Sequence, residues 1–251
     1  MDECGRPPGL HPVLLLPLEI CPARVYDGRM SSKTPAKAPP TRAELYAKAV
    51  RHLSRRCPVL KSLTARVGPC TWAPASDDPF TMLVRCVISQ QISTKAAKSI
   101  FDRLTATVGG LPIARDRLAG LTEADFKACG VSGPKQRTIW AVAEHLDANP
   151  DLVQKIEAHD DDQVRTHLTT IKGIGPWTAD MYLMFAISRP DVLPVGDYGL
   201  RAGVKRFYGL AELPKPAELV ALAEKWRPYR SVATWYIWRG LELAPQAGEG
   251  K

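Results

Sequence analysis

The 251-residue chain predicts an all-α protein. Three observations carry that expectation. From about Thr41 onward, apolar residues recur at the three- and four-residue spacing of a helix face. No segment sustains the period-two alternation of a half-buried strand. Ser, Thr, Asp and Gly stand where helices would begin and end. With 45% hydrophobic and 24% charged residues, the chain is long enough to bury a proper core in one or two domains.

The elements follow in order. Thr41 can cap a helix over RAELYAKAVRHLSRR, with Leu45, Ala49 and Leu53 at helical spacing. A Gly/Pro-punctuated connection, VGPCTWAPASDDP, comes next. A helix from Phe80 to about Ser89 sets Phe80, Leu83, Val84, Val87 and Ile88 on one side. Ser93 or Thr94 opens another through Val108, with Ala97, Ile100, Phe101 and Leu104 inward. LTEADFKACG reads as a short helix closed by Gly130, and SGPKQRTIWAVAEHL, a segment from Asp151 and DDQVRTHLTTI add three more. After a helix from Pro176 to about Ile187, the two prolines of SRPDVLPVG forbid continuation. DYGLRAGVKRFYG, KPAELVALAEKW and YRSVATWYIWRGLEL complete the set.

Both ends read differently. Residues 1–40 are expected to be a disordered tail: SSKTPAKAPPTRAEL after Met30 is polar and Pro-rich, and the apolar tract Val13–Ile20 is interrupted by Pro17. Asp2 and Glu3 do not suit the basic start of a signal peptide, and no apolar run reaches membrane-spanning length. An intracellular protein is expected. The polar residues 245–251 are a second tail.

Net charge is +8, which fits a polyanionic partner but alone is weak support for one. The six cysteines, Cys4, Cys21, Cys57, Cys70, Cys86 and Cys129, show no CxxC spacing. Free thiols in a reducing compartment are expected, with no metal held by side chains.

The stretch LTTIKGIGPWTADMYLMFAISRPDVLPVGDY, residues 168–198, is the most informative. A helix end leads to the turn Gly173–Ile174–Gly175, then to a helix at Pro176. Glycine lacks a Cβ and tolerates positive φ, so such a turn brings main-chain N–H groups close to a ligand. The helix start adds unpaired donors and partial positive charge, for which a phosphate oxygen is the natural occupant. Asp197 lies 22 positions beyond Gly175, ahead of another helix. Taken alone it is an N-cap and needs no other role. The Pro176 helix climbs about 18 Å, and residues 188–196 span up to about 30 Å when extended. The chain can therefore return Asp197 to the level of the hairpin. A phosphate clamp beside an acid points to chemistry on a nucleic acid.

Four blocks in this order resemble the helix-hairpin-helix DNA glycosylase superfamily, and within it the 3-methyladenine DNA glycosylase II family. They are DPFTMLVRCVISQQIS at 78–93, GVSGPKQRTIWAVAEHL at 130–146, the 168–198 stretch, and WRPYRSVATWYIWRGLE at 226–242. The resemblance implies two helical lobes facing each other across a cleft. One is contiguous, residues 78–195; the other joins 41–77 to 196–244. It also implies a monomeric enzyme that removes alkylated bases of the 3-methyladenine type from double-stranded DNA. Three departures matter. Where family members that also cut the backbone carry a lysine, this chain has Trp177, so no amine can attack the sugar. The four-cysteine iron–sulfur cluster of some relatives has no counterpart. The residues before Thr41 are too few for the extra N-terminal α/β domain of enterobacterial-type members. A monofunctional glycosylase without a cofactor is implied; a mismatch or deaminated-base glycosylase, or a non-catalytic DNA-binding module, stand as alternatives.

Carried over residue by residue, the resemblance makes Asp197 the catalytic carboxylate, kept ionised by its helix N-terminus and stabilising positive charge at the sugar. Trp177, Tyr198 and Trp238, with Tyr182 more loosely, would line the base pocket. Trp226 and Trp235 read as core. At the turn after the Phe80 helix, Gln90 and Gln91 would enter the gap left by a flipped nucleotide, Gln91 foremost, or bond the loose carbonyls of their own helix; both readings stand. N–H groups of Gly173, Ile174 and Gly175 would hold phosphate, with charge added by Lys172, Lys135 and Arg137. The carbonyls of Thr169, Ile171 and Gly173 match a monovalent-cation site in the family's hairpins.

Overall fold

The computed structural model describes residues 41–73 and 78–243; the two predicted tails lie outside the described residues. Within them every regular element is a helix. Helix α1 (Arg42–Arg56) starts at a capping box, in which the Thr41 hydroxyl receives the Glu44 N–H and the Glu44 carboxylate receives the Thr41 N–H. It buries Ala49 and Leu53, whereas Leu45 remains 46% exposed. α2 (Pro58–Val67) was not anticipated, although Pro58 occupies the first-turn position that proline favours. α1 and α2 pack on each other and on α13 (Arg230–Glu242), which also receives α11 (Tyr198–Tyr208). α12 (Pro216–Ala223) leads through a 3-10 turn, Glu224–Trp226, toward α13.

The remaining helices pack among themselves. α3 (Pro79–Ser89) lies against α4 (Thr94–Thr107), α7 (Gly133–Ala148) and α10 (Pro176–Phe185), and α9 (Asp161–Thr169) lies against α10. α6 (Glu123–Cys129) contacts α4 and α7, and α5 (Arg115–Ala119), too short for its periodicity to register, touches α7. α8 (Leu152–Ala158) bridges α7 and α9 in the chain. α3 starts at Asp78, whose carboxylate receives the N–H groups of Phe80 at 3.0 Å and Thr81 at 3.2 Å.

α10 is the central helix, with every residue from Thr178 to Phe185 buried. Asp180 breaks its apolar run, and the Arg165 side chain from α9 reaches that carboxylate at 2.8 Å. Burial pushes Asp180 up to about 6, outweighing the opposing pull of Arg165. α10 stops at Phe185, two residues before the expected end. Ser188 takes the left-handed conformation there (φ 58°), and the Arg189 N–H returns to the Leu183 carbonyl at 2.9 Å. That closure normally uses glycine or asparagine, so serine gave no stop signal. Trp226 and Trp235 are buried in the core, as expected. No helix among the described residues is long and apolar enough to cross a membrane.

Candidate active site

Asp197 caps α11 and is 1% exposed. Its Oδ1 receives the Leu200 N–H at 2.6 Å and the Trp238 indole N–H at 2.9 Å. Its Oδ2 receives the Trp177 indole N–H at 2.9 Å. Trp177 stands in the first turn of α10, directly after the hairpin, so one hydrogen bond joins hairpin helix and acid. The helix N-terminus expected to keep Asp197 ionised supplies one donor, the Leu200 N–H, against a burial that opposes it. Loss of solvent pushes the carboxyl above the usual carboxylate range, while the Trp177, Leu200 and Trp238 donors pull it down. The anion therefore depends on those three donors.

Of the residues expected to line a base pocket, Trp177 and Tyr198 are half-buried at the surface of the site. Trp238 is buried and stacks on Phe185, with ring centroids 6.3 Å apart and planes within 13°. Tyr182, at 1% exposure, is likewise buried, on the fully enclosed stretch of α10. The indoles' role as donors to the carboxylate was not foreseen; aromatic residue type signals stacking, and the direction of an indole N–H is set by tertiary packing.

The hairpin also departs from expectation in detail. Gly173 has φ +90°, and a Cβ there would meet the Thr138 hydroxyl at 1.9 Å, so glycine is required by both conformation and space. Gly175 has φ −101°, ordinary for any residue, and a Cβ would meet nothing within 4 Å. Ile174 is not available to phosphate: its N–H bonds the Ile171 carbonyl at 3.0 Å and its side chain is buried. The hairpin's own turn uses that donor. The N–H groups of Trp177 and Thr178, in the first turn of α10, have no acceptor within that helix, as helix geometry dictates. Lys172 and Arg137 are exposed. Lys135 instead donates to the Ile88 carbonyl at 2.8 Å, and burial lowers its pKa.

Gln90 is a further correction. Its amide nitrogen donates to the Gly173 carbonyl at 3.1 Å and to the Thr178 hydroxyl at 2.9 Å, so it is bound to the hairpin instead of reaching outward. Gln91 is exposed and left-handed, φ 55°. Of the proposed cation ligands, the Ile171 carbonyl accepts from Ile174 and the Gly173 carbonyl from Gln90. Each oxygen keeps a second lone pair, and neutral hard-oxygen donors suit a monovalent cation.

Residues 84–228, which hold this hairpin, helix start and acid, match a family model described as HhH-GPD superfamily base excision DNA repair protein. The chain belongs to that superfamily. This HhH-GPD protein is 31% identical over 202 residues to the alkylbase DNA glycosidase-like protein mag2 of Schizosaccharomyces pombe, covering 77% of this chain and 93% of mag2. It is 32% identical to DNA-3-methyladenine glycosylase 1 of the same yeast over 66% of this chain and 74% of that one. The solved structure of the S. pombe 3-methyladenine DNA glycosylase Mag1 with abasic DNA is similar at a TM-score of 0.71, with 31% identity, 78% of this chain and 98% of that chain covered.

Proposed function

We propose that this HhH-GPD protein is a monofunctional DNA glycosylase that hydrolyses the N-glycosidic bond of alkylated bases of the 3-methyladenine type in duplex DNA, acting as a monomer inside the cell. The observation that carries this reading is Asp197: a buried carboxylate at a helix start, one hydrogen bond from the hairpin helix. Relatives at 31–32% identity bear names tied to alkylated bases.

The chemistry follows from that arrangement. The target nucleotide must leave the base stack, at a cost of a few kcal/mol that is least for a damaged pair. Positive charge then builds at the sugar C1′ as the base departs. The Asp197 anion stabilises that charge, in a site where low dielectric strengthens the attraction. It also orients the water that completes hydrolysis. An N3- or N7-alkylated purine is already cationic and leaves neutral, so no second acid is required. Trp177 and Tyr198, at the half-buried edge, offer electron-rich faces worth about 0.5–2 kcal/mol each to a cationic base. With Trp177 in the place of an amine, no Schiff base forms and the strand stays intact. A monovalent cation held by the carbonyls of Thr169, Ile171 and Gly173 would add positive charge for a phosphate and take no part in bond cleavage.

The test is release of free base from methylated duplex DNA by wild type and Asp197→Asn, with thermal unfolding measured alongside. Wild type releases 3-methyladenine and leaves strands that break only on alkali treatment. The variant, folded, is slower by at least about 10²-fold, the scale of losing one preorganised electrostatic group. Equal rates would remove Asp197 from catalysis. Strand scission before alkali would refute the monofunctional assignment.

A further inference from the structure

A side chain of the turn between α3 and α4 fastens it to the hairpin. Gln90 lies 83 residues before Gly173 and 88 before Thr178, yet its single amide nitrogen reaches both, at 3.1 and 2.9 Å. A primary amide nitrogen carries two protons, so this grip engages its full donor capacity. The amide's orientation follows from chemistry. A main-chain carbonyl only accepts, so an amide turned the other way would set oxygen against oxygen at Gly173.

The surroundings hold both ends of this link. On the turn side, Lys135 of α7 donates to the Ile88 carbonyl at 2.8 Å, securing the last turn of α3. The Ser93 hydroxyl receives the Ala96 N–H at 3.2 Å and sets the start of α4. Between these points the chain has a single exposed residue in the left-handed region, Gln91. A non-glycine residue persists there only when its neighbours over-determine it. On the hairpin side, Gly173 is wedged against Thr138 of α7, and Thr178 lies in the first turn of α10, where orphan N–H groups accumulate.

Resting on the glycosylase reading, we propose that Gln90 is a positioning residue, not a DNA ligand: it couples the phosphate-gripping hairpin to the turn that presents Gln91, so that holding the backbone and entering the base stack occur in one fixed register. The hairpin N–H groups do not need Gln90 to meet a phosphate. Penetration of the duplex by Gln91 does need it, because otherwise the left-handed turn is free to relax away from the hairpin. Gln90 thus acts on nucleotide extrusion and leaves backbone affinity nearly untouched.

The experiment uses the full chain and the variants Gln90→Met, which keeps length without donors or charge, Gln91→Ala, and the double variant. Binding to undamaged duplex is followed by anisotropy. Extrusion is followed by the fluorescence of 2-aminopurine opposite a tetrahydrofuran abasic analogue. Gln90→Met is expected to bind undamaged duplex within about twofold of wild type. Its unstacking equilibrium falls about tenfold, the scale of losing a pair of neutral hydrogen bonds. Gln91→Ala causes a similar fall, and the double variant is little worse than either, since residues acting as a unit are non-additive. Additive effects, an unchanged fluorescence response, or equal weakening on damaged and undamaged DNA would each overturn the proposal. Should Gln90→Met fail to fold, Thr178→Val removes one of the two acceptors at constant shape and must show the same selective loss. Base release from methylated duplex is measured in parallel. Its absence in wild type would refute the glycosylase reading, whereas normal release by Gln90→Met with intact extrusion would refute the link alone.

Discussion

At the scale of single residues, the site is governed by the competition over Asp197. Burial at 1% exposure favours the neutral acid, and two indole N–H groups and one main-chain N–H favour the anion. Trp238→Phe removes a donor while preserving an aromatic ring. A hydrogen bond to a charged group contributes about 1.5 kcal/mol or more, which corresponds to about one pH unit. The sign is fixed: losing the donor destabilises the anion, raises the carboxyl pKa further and moves the acidic limb of the pH–rate profile upward by about that amount. Single-turnover base release across pH measures it. A rate lowered equally at every pH would show that Trp238 serves packing alone. Trp177→Phe should move the limb in the same direction, because its indole supports the other oxygen.

At the scale of elements, the two glycines of the hairpin have separate jobs. Gly173→Ala must accept φ +90° and a Cβ driven into Thr138, so it should lower thermal stability by roughly 1–3 kcal/mol. Gly175→Ala meets neither penalty and should melt with wild type. Its Cβ would instead stand between the hairpin amides and a phosphate, so duplex affinity should drop several-fold while the fold is intact. Thermal unfolding and anisotropy on the same samples separate the two. An unstable Gly175→Ala would mean that the residue serves the fold; a stable one with full affinity would place phosphate elsewhere. The same division explains what was legible. GIGPW announced a hairpin because Gly and Pro at a helix start have few other uses. That only the first glycine is internally demanded depends on Thr138, 35 positions away.

At the scale of the whole molecule, α3–α10 pack among themselves, and α1, α2, α11 and α13 do likewise. Asp197 and Trp238 belong to the second group and Trp177 to the first, so the Trp177–Asp197 hydrogen bond joins the two. A net charge of +8 makes association with a polyanion dependent on salt. For a footprint of about four phosphates, affinity for undamaged duplex should fall roughly 10²-fold between about 50 and about 200 mM salt. A flat salt response would mean that the basic excess is spread over surfaces that never meet DNA.

The sequence by itself determined the helical class, most helix starts, the hairpin and Asp197 as a helix cap. Those properties are local: periodicity, capping and glycine or proline punctuation act within a few residues. α5 escaped because five residues carry too few periods. Only the tertiary structure decided that Tyr182 is buried, that Ile174 has already used its N–H, that Gln90 grips the hairpin, and that two indoles hold the Asp197 carboxylate. Each of these depends on where a donor points and how much water remains around it. Those quantities arise from packing between residues far apart in the chain, and no local pattern encodes them.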